Sequence, residues 1–466
     1  MPSLTLLHLS RWQFAITAAF HMTFPAITVG LAIFLCGMYA AWMRTRNPVY
    51  LQIYRFWRRI FAVGFALGVV AGVVLTFEFG LNWGGYAHAV GPVVGVIIAM
   101  EVVTAFFLEA GFIGILLYGE GRVSERVTML ANVMVALGTL LSVTWILAAN
   151  SWMQTPAGTT IVNGQFVPTN WWHTIFNPSF FPRFLHMLLA VLIASAWLVA
   201  GVSGYYLVRR RHIFFARKSF SLTMAVLALL MPIQLYVGDY VGGMVGKYQP
   251  TKLFAMEGNW TSTNTGWNVV VVPDISAGKN HFMLTIPKLG SYFGKDLSGH
   301  TAIPGLLNVP PALRPNTWAV FYGFRVMVFA GLFMLATALV GLYLKARGRL
   351  YVSRRFQRWV TWMTPTGVLT IVAGWVTAEA GRQPFVVYGK LLTSQSVSQL
   401  ATPSLVFSLA AFLAVYVLLV GIWVAYLVRQ VRRGPRPEDL PTSGDTVIEP
   451  EAESASTPPE AVVAVR

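Results

Sequence analysis

Residues 404–428 read SLVFSLAAFLAVYVLLVGIWVAYLV, and none of these 25 side chains carries a charge. An α-helix rises about 1.5 Å per residue, so roughly 20 mostly apolar residues are enough to cross the hydrocarbon core of a bilayer. The run therefore predicts a membrane-spanning helix. Further runs of the same kind lie before it in the chain, and together they decide the fold.

Apolar runs are spread over almost the whole chain. They predict helices near residues 13–43, 60–79, 93–118, 127–148, 182–208, 217–238, 317–344, 359–380 and 404–428. The chain is 56% hydrophobic and 11% charged, about half the charged fraction that is usual in soluble domains. The first run is too long for a cleavable signal peptide and follows no basic segment, so we expect it to remain as a helix. The sequence predicts an all-α, polytopic membrane protein of about nine transmembrane helices.

Basic residues are concentrated in alternate connections between these runs. The net charge of +17 is distributed as in membrane proteins and not as in nucleic-acid-binding proteins, because the intervening loops carry few charges. The strongest clusters are Arg44, Arg46, Arg55, Arg58 and Arg59; Arg209, Arg210, Arg211, Arg217 and Lys218; Lys345, Arg347, Arg349, Arg354, Arg355 and Arg358; and Arg429, Arg432, Arg433 and Arg436. Loops rich in Lys and Arg stay in the cytoplasm. The pattern predicts an N-terminus on the outer face and a C-terminus in the cytoplasm.

Beyond the helices, the sequence predicts one long outer loop and a C-terminal tail. The expected organisation is helices 1–6 in residues 1–238, the outer loop in 239–316, helices 7–9 in 317–433 and the tail in 434–466. A loop of this length is usually functional or mobile. The tail is rich in Pro, Glu, Ser and Thr, which is typical of a disordered segment. The single cysteine, Cys36, excludes an intrachain disulfide and a metal site built from several thiolates.

Several ionisable or metal-ligating side chains lie within the predicted helices, where each is costly and needs a reason. They are His21, Glu101, Glu109, His186, Arg325, Met327, Glu379 and Arg382. Four of them, on helices that enter from the outer face, lie roughly 6 to 15 Å below it, at about 1.5 Å per residue. These four are His21, Glu101, His186 and Met327. Because Glu379 lies at the outer end of its helix, five potential ligands fall in the outer half of the membrane.

Each of these residues also has a structural interpretation. A lone intramembrane His can bond a neighbouring helix, Met327 can fill a gap in the core, and Glu379 with Arg382 can form an i,i+3 ion pair. Glu101 and Glu109 are separated by roughly 80° around an ideal helix and about 12 Å along it, which suits a proton relay better than one binding site. His with Met is an axial pair for low-spin haem, and a lone His leaves haem iron with an open position. The residue types favour a multi-haem membrane oxidoreductase and leave the structural roles open.

Several short motifs in the chain resemble those of one family of membrane oxidases. They are SRWQF at residues 10–14 followed by His21, FEFGLNW at 77–83, EVVTAFFLE at 101–109, ANSWMQ at 149–154, FRVM at 324–327, and GRQP at 381–384 after Glu379. In this order, from residue 3 to about 430, the chain resembles cytochrome bd quinol oxidase subunit I. The signature usually continues with Trp where this chain has Phe385, which keeps an aromatic ring and loses an N–H donor. We expect a local packing change there without loss of function.

The resemblance implies a set of haem ligands between helices in the outer half of the membrane. His186 and Met327 would hold a low-spin b haem. His21 would bind a high-spin haem in a paired oxygen site, and Glu379 would be a ligand in the same site. Which of the two serves haem d and which the high-spin b haem stays open. The loop 239–316 looks like that of the short-loop branch, which includes cyanide-insensitive oxidases, so the pair is haem b with haem d or two high-spin b haems.

The resemblance also implies catalytic and supporting residues. Glu101 would lie beside the oxygen site, and Glu101 and Glu109 would carry protons toward oxygen. Lys252 and Glu257 in the outer loop match the quinol-contact positions of the family. Arg325, Trp375 and Arg382 would contribute to cofactor binding.

As a whole, the resemblance implies a quinol:oxygen oxidoreductase of a respiratory chain. Ubiquinol or menaquinol would be oxidised at the outer face and oxygen reduced to water with cytoplasmic protons, which generates a proton motive force without pumping. The expected partners are cytochrome bd subunit II and, in some cases, a small third subunit, in the bacterial cytoplasmic membrane.

One rival function is a secondary transporter, which predicts broken helices and inverted repeats. The other is a haem-b anchor for a peripheral dehydrogenase, which does not account for the three intramembrane glutamates.

Overall fold

Helices make up most of the computed structural model, which describes residues 4–262, 266–290 and 304–440. The first ten are α1 (Leu4–Thr23), α2 (Pro25–Thr45), α3 (Pro48–Leu81), α4 (Gly84–Val90), α5 (Val96–Glu101), α6 (Phe107–Tyr118), α7 (Glu125–Gln154), α8 (Trp171–Ile175), α9 (Phe180–Arg209) and α10 (Ile213–Tyr248). They are followed by α11 (Pro250–Glu257), α12 (Thr317–Ala346), α13 (Arg354–Trp362), α14 (Thr366–Ala380) and α15 (Thr402–Arg433). The predicted disordered tail lies, from residue 441 onward, outside the described residues.

Eight helical stretches in the described part of the chain are long and apolar enough to span a membrane. They are Leu4–Thr45, Pro48–Leu81, Gly84–Tyr118, Glu125–Gln154, Phe180–Arg209, Ile213–Tyr248, Pro311–Ala346 and Thr402–Arg433. The prediction of an all-α, polytopic membrane protein is confirmed. The remaining predicted helix, 359–380, is divided between α13 and α14, which are separated by residues 363–365. Pro365 accounts for this break, because proline disfavours helical backbone in the residue before it.

The first predicted helix, residues 13–43, is in fact two helices. α1 ends at Thr23 and α2 begins at Pro25. Proline suits the first turn of a helix, because its missing N–H would have no partner there. Both helices lie in one stretch of 42 residues. The prediction of a single helix was wrong because only this proline marks the division within a long apolar run.

Four helices form a closed ring. α9 packs against α10, α10 against α12, α12 against α14, and α14 against α9. In this four-helix ring α9 and α12 therefore face each other. The ring joins the other helices through α2 and α7, which both pack against α9. On the far side, α1 packs against α3 and α15, and α5 and α6 pack against α7.

The largest apolar core lies toward the ends of the helices that carry the basic clusters. Trp57, Trp197, Tyr206, Phe215 and Phe356 are buried in it. Each of these aromatic residues lies within a few helical turns of a cluster of basic residues in the sequence. The candidate ligands lie mostly toward the opposite ends of the helices. The apolar core is therefore largely separate from the buried polar groups.

The connections at those opposite ends contain three β-hairpins in the described part of the chain. They are β1–β2 (Thr159–Val162 with Gln165–Pro168), β3–β4 (Trp267–Asp274 with Lys279–Ile286) and β5–β6 (Phe385–Val387 with Leu391–Leu392). In the second hairpin, Trp267 is paired with Ile286 and Asp274 with Lys279. Much of the predicted loop 239–316 is therefore regular structure, because α10 continues to Tyr248 and is followed by α11 and β3–β4.

Residues 434–440 fold back over the basic ends of the helices, and we call them the C-terminal strap. Asp439 pairs with Arg59 of α3 through two contacts, Nη1–Oδ1 at 2.5 Å and Nη2–Oδ2 at 2.8 Å. Arg55 donates to two backbone carbonyls of the strap at 3.1 and 3.0 Å. These contacts fix the segment after α15 to α3.

Candidate functional site

His21 lies in the last turn of α1, against a row of glycines in α3. Gly64, Gly68 and Gly72 are spaced one turn apart and approach α1 and α2 closely. A Cβ on Gly72 would lie 3.1 Å from Cε1 of His21, so the absence of that side chain makes room for the ring. The ring interacts with the backbone of Gly68, but its Nδ1 atom is buried and has no hydrogen bond of normal geometry with the described residues. The imidazole is therefore only weakly engaged by the part of the chain that the structure describes.

His186 and Met327 lie on α9 and α12, the helices that face each other in the four-helix ring. A Cβ on Gly238 of α10 would lie 3.2 Å from Cε1 of His186. A Cβ on Gly374 of α14 would lie 2.7 Å from Sδ of Met327. Nδ1 of His186 is buried and has no hydrogen-bond partner among the described residues. Both side chains therefore lie against a glycine of a neighbouring helix, as His21 does.

Glu101 and Glu109 both face α7. Oγ of Ser142 donates to Oε1 of Glu101 at 2.7 Å. A Cβ on Gly138, one turn earlier in α7, would lie 2.5 Å from Cγ of Glu109. The two glutamates are close enough for their charges to interact. The structure brings them together along one helix face.

The predicted angle of roughly 80° between these glutamates is wrong because of a π-helical turn. Residues 102–106, between α5 and α6, form this turn. A π-helical turn accommodates about one residue more than an α-helical turn, so eight residues rotate the helix as about seven would. The angle falls to roughly 20°, which places both carboxyl groups on the face toward α7. Such turns are frequent at functional sites.

Glu379, in the last turn of α14, is held by three side chains. Nδ2 of Asn150 and Nε2 of Gln154 donate to its Oε1 atom at 2.9 and 3.1 Å. Arg382 forms an ion pair with its Oε2 atom. Nε and Nη1 of Arg382 are buried and have no hydrogen-bond partner among the described residues. The guanidinium group therefore keeps donors for a further acceptor.

Lys252 of α11 is buried, with 1% of its surface exposed. Its Nζ atom donates to Oε1 of Gln154 at 2.5 Å and to Oε1 of Gln249 at 2.9 Å. Nη2 of Arg183 also donates to Oε1 of Gln249, at 3.0 Å. Removal from water, and then the charge of Arg183, lower the pKa of Lys252 well below its ordinary value. We call the following residues the lysine network: Asn150, Gln154, Arg183, Gln249, Lys252, Glu379 and Arg382.

Glu257, at the end of α11, belongs to a second network. Nη2 of Arg325 contacts Oε2 of Glu257 at 2.8 Å, and Nε and Nη2 also donate to the carbonyl of Asn268, at 2.8 and 2.5 Å. The guanidinium lies 4.5 Å from the ring centres of Trp267 and Phe321. Burial raises the pKa of Glu257, and the nearby Arg325 opposes that shift. We call Glu257, Arg325, Asn268, Trp267 and Phe321 the glutamate network.

Sequence reasoning assigned no role to several polar residues with little exposure. Asn150 is half-buried, and the buried ones are Glu78, Gln154, Arg183, Gln249 and Asn268. The available signal was the polarity of residues within the recognised motifs, since Asn150 and Gln154 belong to ANSWMQ and Glu78 belongs to FEFGLNW. Of the predicted cofactor residues, Arg325 is engaged by the glutamate network, and Trp375 is half-buried on α14. In the part of the chain that the structure describes, no three His, Cys, Asp or Glu residues form a group that could hold a metal ion.

Known proteins similar to this chain provide an independent comparison. A family model described as cytochrome bd terminal oxidase subunit I matches residues 9–435. The chain is 34% identical to cytochrome bd ubiquinol oxidase subunit 1 of Bacillus subtilis (strain 168), over 94% of this chain and 96% of the relative. It is 31% identical to cytochrome bd-II ubiquinol oxidase subunit 1 of Escherichia coli (strain K12), over 92% and 96% respectively. The structure of bd oxidase from Geobacillus thermodenitrificans matches with a TM-score of 0.85 and 28% identity, covering 93% of this chain and 100% of that chain.

These matches cover nearly the whole chain, and they agree in sequence and in fold. The resemblance drawn from the motifs is therefore confirmed, as is the prediction of an oxidoreductase in a multi-pass membrane protein. The chain belongs to the cytochrome bd terminal oxidase subunit I family.

Proposed function

We propose that this chain is the haem-bearing subunit of a terminal quinol oxidase that oxidises quinol at the outer face of the cytoplasmic membrane and reduces oxygen to water. The two electrons of quinol and the protons consumed at oxygen would come from opposite sides, which generates a proton motive force without pumping. The names of the relatives support the quinol oxidase activity. The basic clusters support an outer N-terminus and a cytoplasmic C-terminus. We expect a second multi-helix subunit as the partner.

The observation that carries this proposal is the burial of Lys252 and Glu257 on one short helix. They are 1% and 8% exposed, and charged side chains are almost never buried to this extent unless they have a task or a partner. Glu257 is bonded to Arg325 of α12, a helix of the four-helix ring. Lys252 is bonded to Gln154, which in turn donates to Glu379 of α14. A quinol that contacts both residues would lie next to the ring that carries His186 and Met327.

The residues of this chain fit haem groups. The imidazoles of His21 and His186 each have a buried Nδ1 atom without a normal hydrogen bond to the described residues, and His21, His186 and Met327 each lie against a glycine. The lysine network holds three buried cations and one carboxylate, which suits the two propionates of a haem. The three cations are Arg183, Lys252 and Arg382.

The haem assignments follow the resemblance to the family, and the ligand types are consistent with them. His186 and Met327 would hold a low-spin b haem. His21 and Glu379 would serve the high-spin groups, a haem b together with haem d or a second high-spin haem b. When bound, these haems supply the one-electron chemistry that links a two-electron donor to oxygen.

In this proposal three glutamates transfer protons and one lysine binds quinol. Glu257 would accept a proton from quinol, because its raised pKa brings it closer to the range in which a base exchanges protons at neutral pH. The Lys252 ammonium would donate a hydrogen bond to a quinol oxygen. Glu101 and Glu109, on one face toward α7, would pass protons from the cytoplasmic side to oxygen.

The two rival functions explain less of the molecule. A secondary transporter is not expected of a chain whose relatives are named as quinol oxidases. A haem-b anchor would use His186 and Met327. It would give no role to the shared helix face of Glu101 and Glu109 or to the buried contacts of Glu379.

The quinol side of the proposal is tested at the ligands of the low-spin haem. His186→Ala and Met327→Leu should each remove the low-spin band from the reduced-minus-oxidised spectrum and abolish quinol oxidation, while the protein still inserts into the membrane. Met334→Leu is the matched control, because Met334 is also buried in α12. An unchanged low-spin band in both ligand variants would refute the assignment.

The oxygen side is tested at Glu101. Glu101→Gln keeps the size of the side chain and can still accept the hydrogen bond from Ser142, but it cannot carry a proton. We expect an intact low-spin band, loss of most oxygen uptake and an altered high-spin spectrum. Glu125→Gln is the control, because Glu125 forms a half-exposed ion pair with Arg46. Normal uptake with a normal spectrum would reduce Glu101 to a packing residue.

A further inference from the structure

Gln154 lies where the quinol loop meets Glu379. It is the last residue of α7 and is fully buried. Its Oε1 atom accepts hydrogen bonds from Nζ of Lys252 at 2.5 Å and from Nε2 of Gln249 at 2.8 Å. Its Nε2 atom donates to Oε1 of Glu379 at 3.1 Å and to the carbonyl of Ala378 at 3.3 Å. Both lone pairs and both N–H groups of the amide are therefore in use.

We propose that Gln154 is a positioning residue that holds the Lys252 ammonium and the Glu379 carboxylate in one fixed relation, so that the place of the Lys252 donor in the quinol loop depends on the place of the Glu379 carboxylate. The proposal rests on the proposed function, because it takes Lys252 as a quinol contact. Gln154 itself touches neither quinol nor oxygen in this scheme.

The polarity of the amide explains why glutamine serves at this position. Its oxygen faces the cationic side, where Lys252 lies, and its NH₂ group faces the carboxylate of Glu379. A flipped amide would place donors against an ammonium and an oxygen against a carboxylate, so the neighbours fix a single orientation. A neutral side chain with an acceptor at one edge and a donor at the other satisfies both ends at once.

The charges around Lys252 make this contact important. Arg183 and Arg382 have the same sign as Lys252, and Glu379 is the opposing charge. The two acceptors of the ammonium are the neutral oxygens of Gln154 and Gln249. Loss of one of them leaves a buried cation with half of its acceptors, and a hydrogen bond to a charged group corresponds to about tenfold or more in an equilibrium constant.

Two substitutions distinguish the contact of Gln154 with Lys252 from its contact with Glu379. Gln154→Glu retains an acceptor for Lys252 but places a second carboxylate against Glu379. Gln154→Leu removes both contacts. Gln165→Glu is the matched control, because Gln165 lies in the β1–β2 hairpin and donates to the carbonyl of His88. The measurements are kcat and KM for quinol across neutral pH, together with the visible spectrum, all on the purified enzyme with its partner subunit.

We expect Gln154→Leu to raise the quinol KM by up to about tenfold, the limit set by one lost hydrogen bond to a charged group, because quinol must then bind a lysine that Gln154 no longer holds in place. Gln154→Glu should change the pH dependence of the quinol KM and alter the high-spin spectrum, while Gln165→Glu resembles the wild-type enzyme. A purely structural role for Gln154 would lower the yield of assembled enzyme and leave the KM, the pH profile and the spectrum of the assembled fraction unchanged. That result overturns the proposal.

Lys252→Gln distinguishes failure of this proposal from failure of the proposed function. An unchanged quinol KM in Lys252→Gln would remove Lys252 from the quinol site, and the proposal about Gln154 would fall with it. A raised KM in Lys252→Gln, with wild-type behaviour of both Gln154 variants, overturns the role of Gln154 alone. Where Gln154→Glu does not assemble, Gln154→Asn decides, because it keeps the amide but is one methylene too short. A wild-type KM and pH profile in Gln154→Asn then counts against the proposal.

Discussion

Lys252 and Glu257 lie five residues apart on the same short helix, and both are buried, yet their charges are compensated in different ways. Glu257 has a direct counter-ion, with Arg325 at 2.8 Å. Lys252 is bonded to two neutral amide oxygens, and two of the charges near it are those of Arg183 and Arg382. The glutamate network is therefore a paired ion site that fixes the loop to α12. The lysine network has an excess of positive charge and is suited to receive a polar or anionic group.

The largest effect should come from breaking the paired site. Arg325→Met leaves the Glu257 carboxylate buried without its counter-ion, and removing one partner of a buried pair costs about 3–5 kcal/mol. We expect a lower thermal stability, faster proteolysis within the outer loop and loss of quinol oxidation. Arg314→Met is the control, because Arg314 is a cation of the same loop that donates to the carbonyl of Val309. Equal stability of the two variants would show that the ion pair does not hold the loop.

The corresponding change in the lysine network should have the opposite signature. Lys252→Met removes a buried, incompletely compensated cation, so we expect the thermal stability to stay the same or rise. Quinol binding should weaken, with a KM raised about tenfold, because a charged hydrogen-bond donor is lost. Thermal unfolding and quinol kinetics on one preparation test both statements. A loss of thermal stability as large as that of Arg325→Met would show that the two networks do not differ in how their charges are compensated.

The two networks should also control opposite limbs of the pH profile of quinol oxidation. Burial raises the pKa of Glu257, and the proposed base works only when deprotonated, so activity should rise with pH through that raised pKa. Burial lowers the pKa of Lys252, and the proposed donor works as an ammonium, so activity should fall above that lowered pKa. Glu257→Gln should remove the acid limb together with most of the activity, and Lys252→Arg should move the alkaline limb to higher pH. An identical profile in Lys252→Arg and the wild type would assign the alkaline limb to another group.

The smallest effect is expected at Phe385, which follows the GRQP motif beside the lysine network. Its ring meets that of Tyr388 edge-on, with 5.8 Å between ring centres. Phe385→Trp keeps the aromatic contact, so kcat should stay within about twofold, whereas Phe385→Ala should cost at least about 0.5–1.5 kcal/mol of stability, the value of the ring pair beyond its buried area. Quinol turnover and thermal unfolding of both variants provide the test. A several-fold gain in Phe385→Trp would mean that the missing indole N–H has a functional partner.

The membrane architecture could be predicted because the length of an apolar run is a property of neighbouring residues. The divisions at Pro25 and Pro365 were missed, since a proline inside an apolar run does not reveal whether the helix bends or ends there. The shared face of Glu101 and Glu109 was also missed. A π-helical turn changes the helical phase by one residue and leaves no mark on the hydrophobic pattern.

The two ends of the candidate site differed in how far sequence could predict them. Lys252, Glu257 and the intramembrane ligands stood out because charged or ligating residues were unexpected where they lie. Gln154 and Asn268 did not, because uncharged amides are common and their importance depends on distant partners. Gln154 and Glu379 are 225 residues apart in the chain. Such a contact follows from helix packing, which composition and spacing do not determine.

The C-terminal strap has a consequence for the order in which the protein is made. Arg59 and Asp439 are 380 residues apart. At about 5–20 residues per second, a ribosome needs roughly 20–80 s to add that length of chain. During this interval α3 already exists, but the carboxylate that pairs with Arg59 has not been synthesised. A chain released before residue 439 would lack this partner of Arg59.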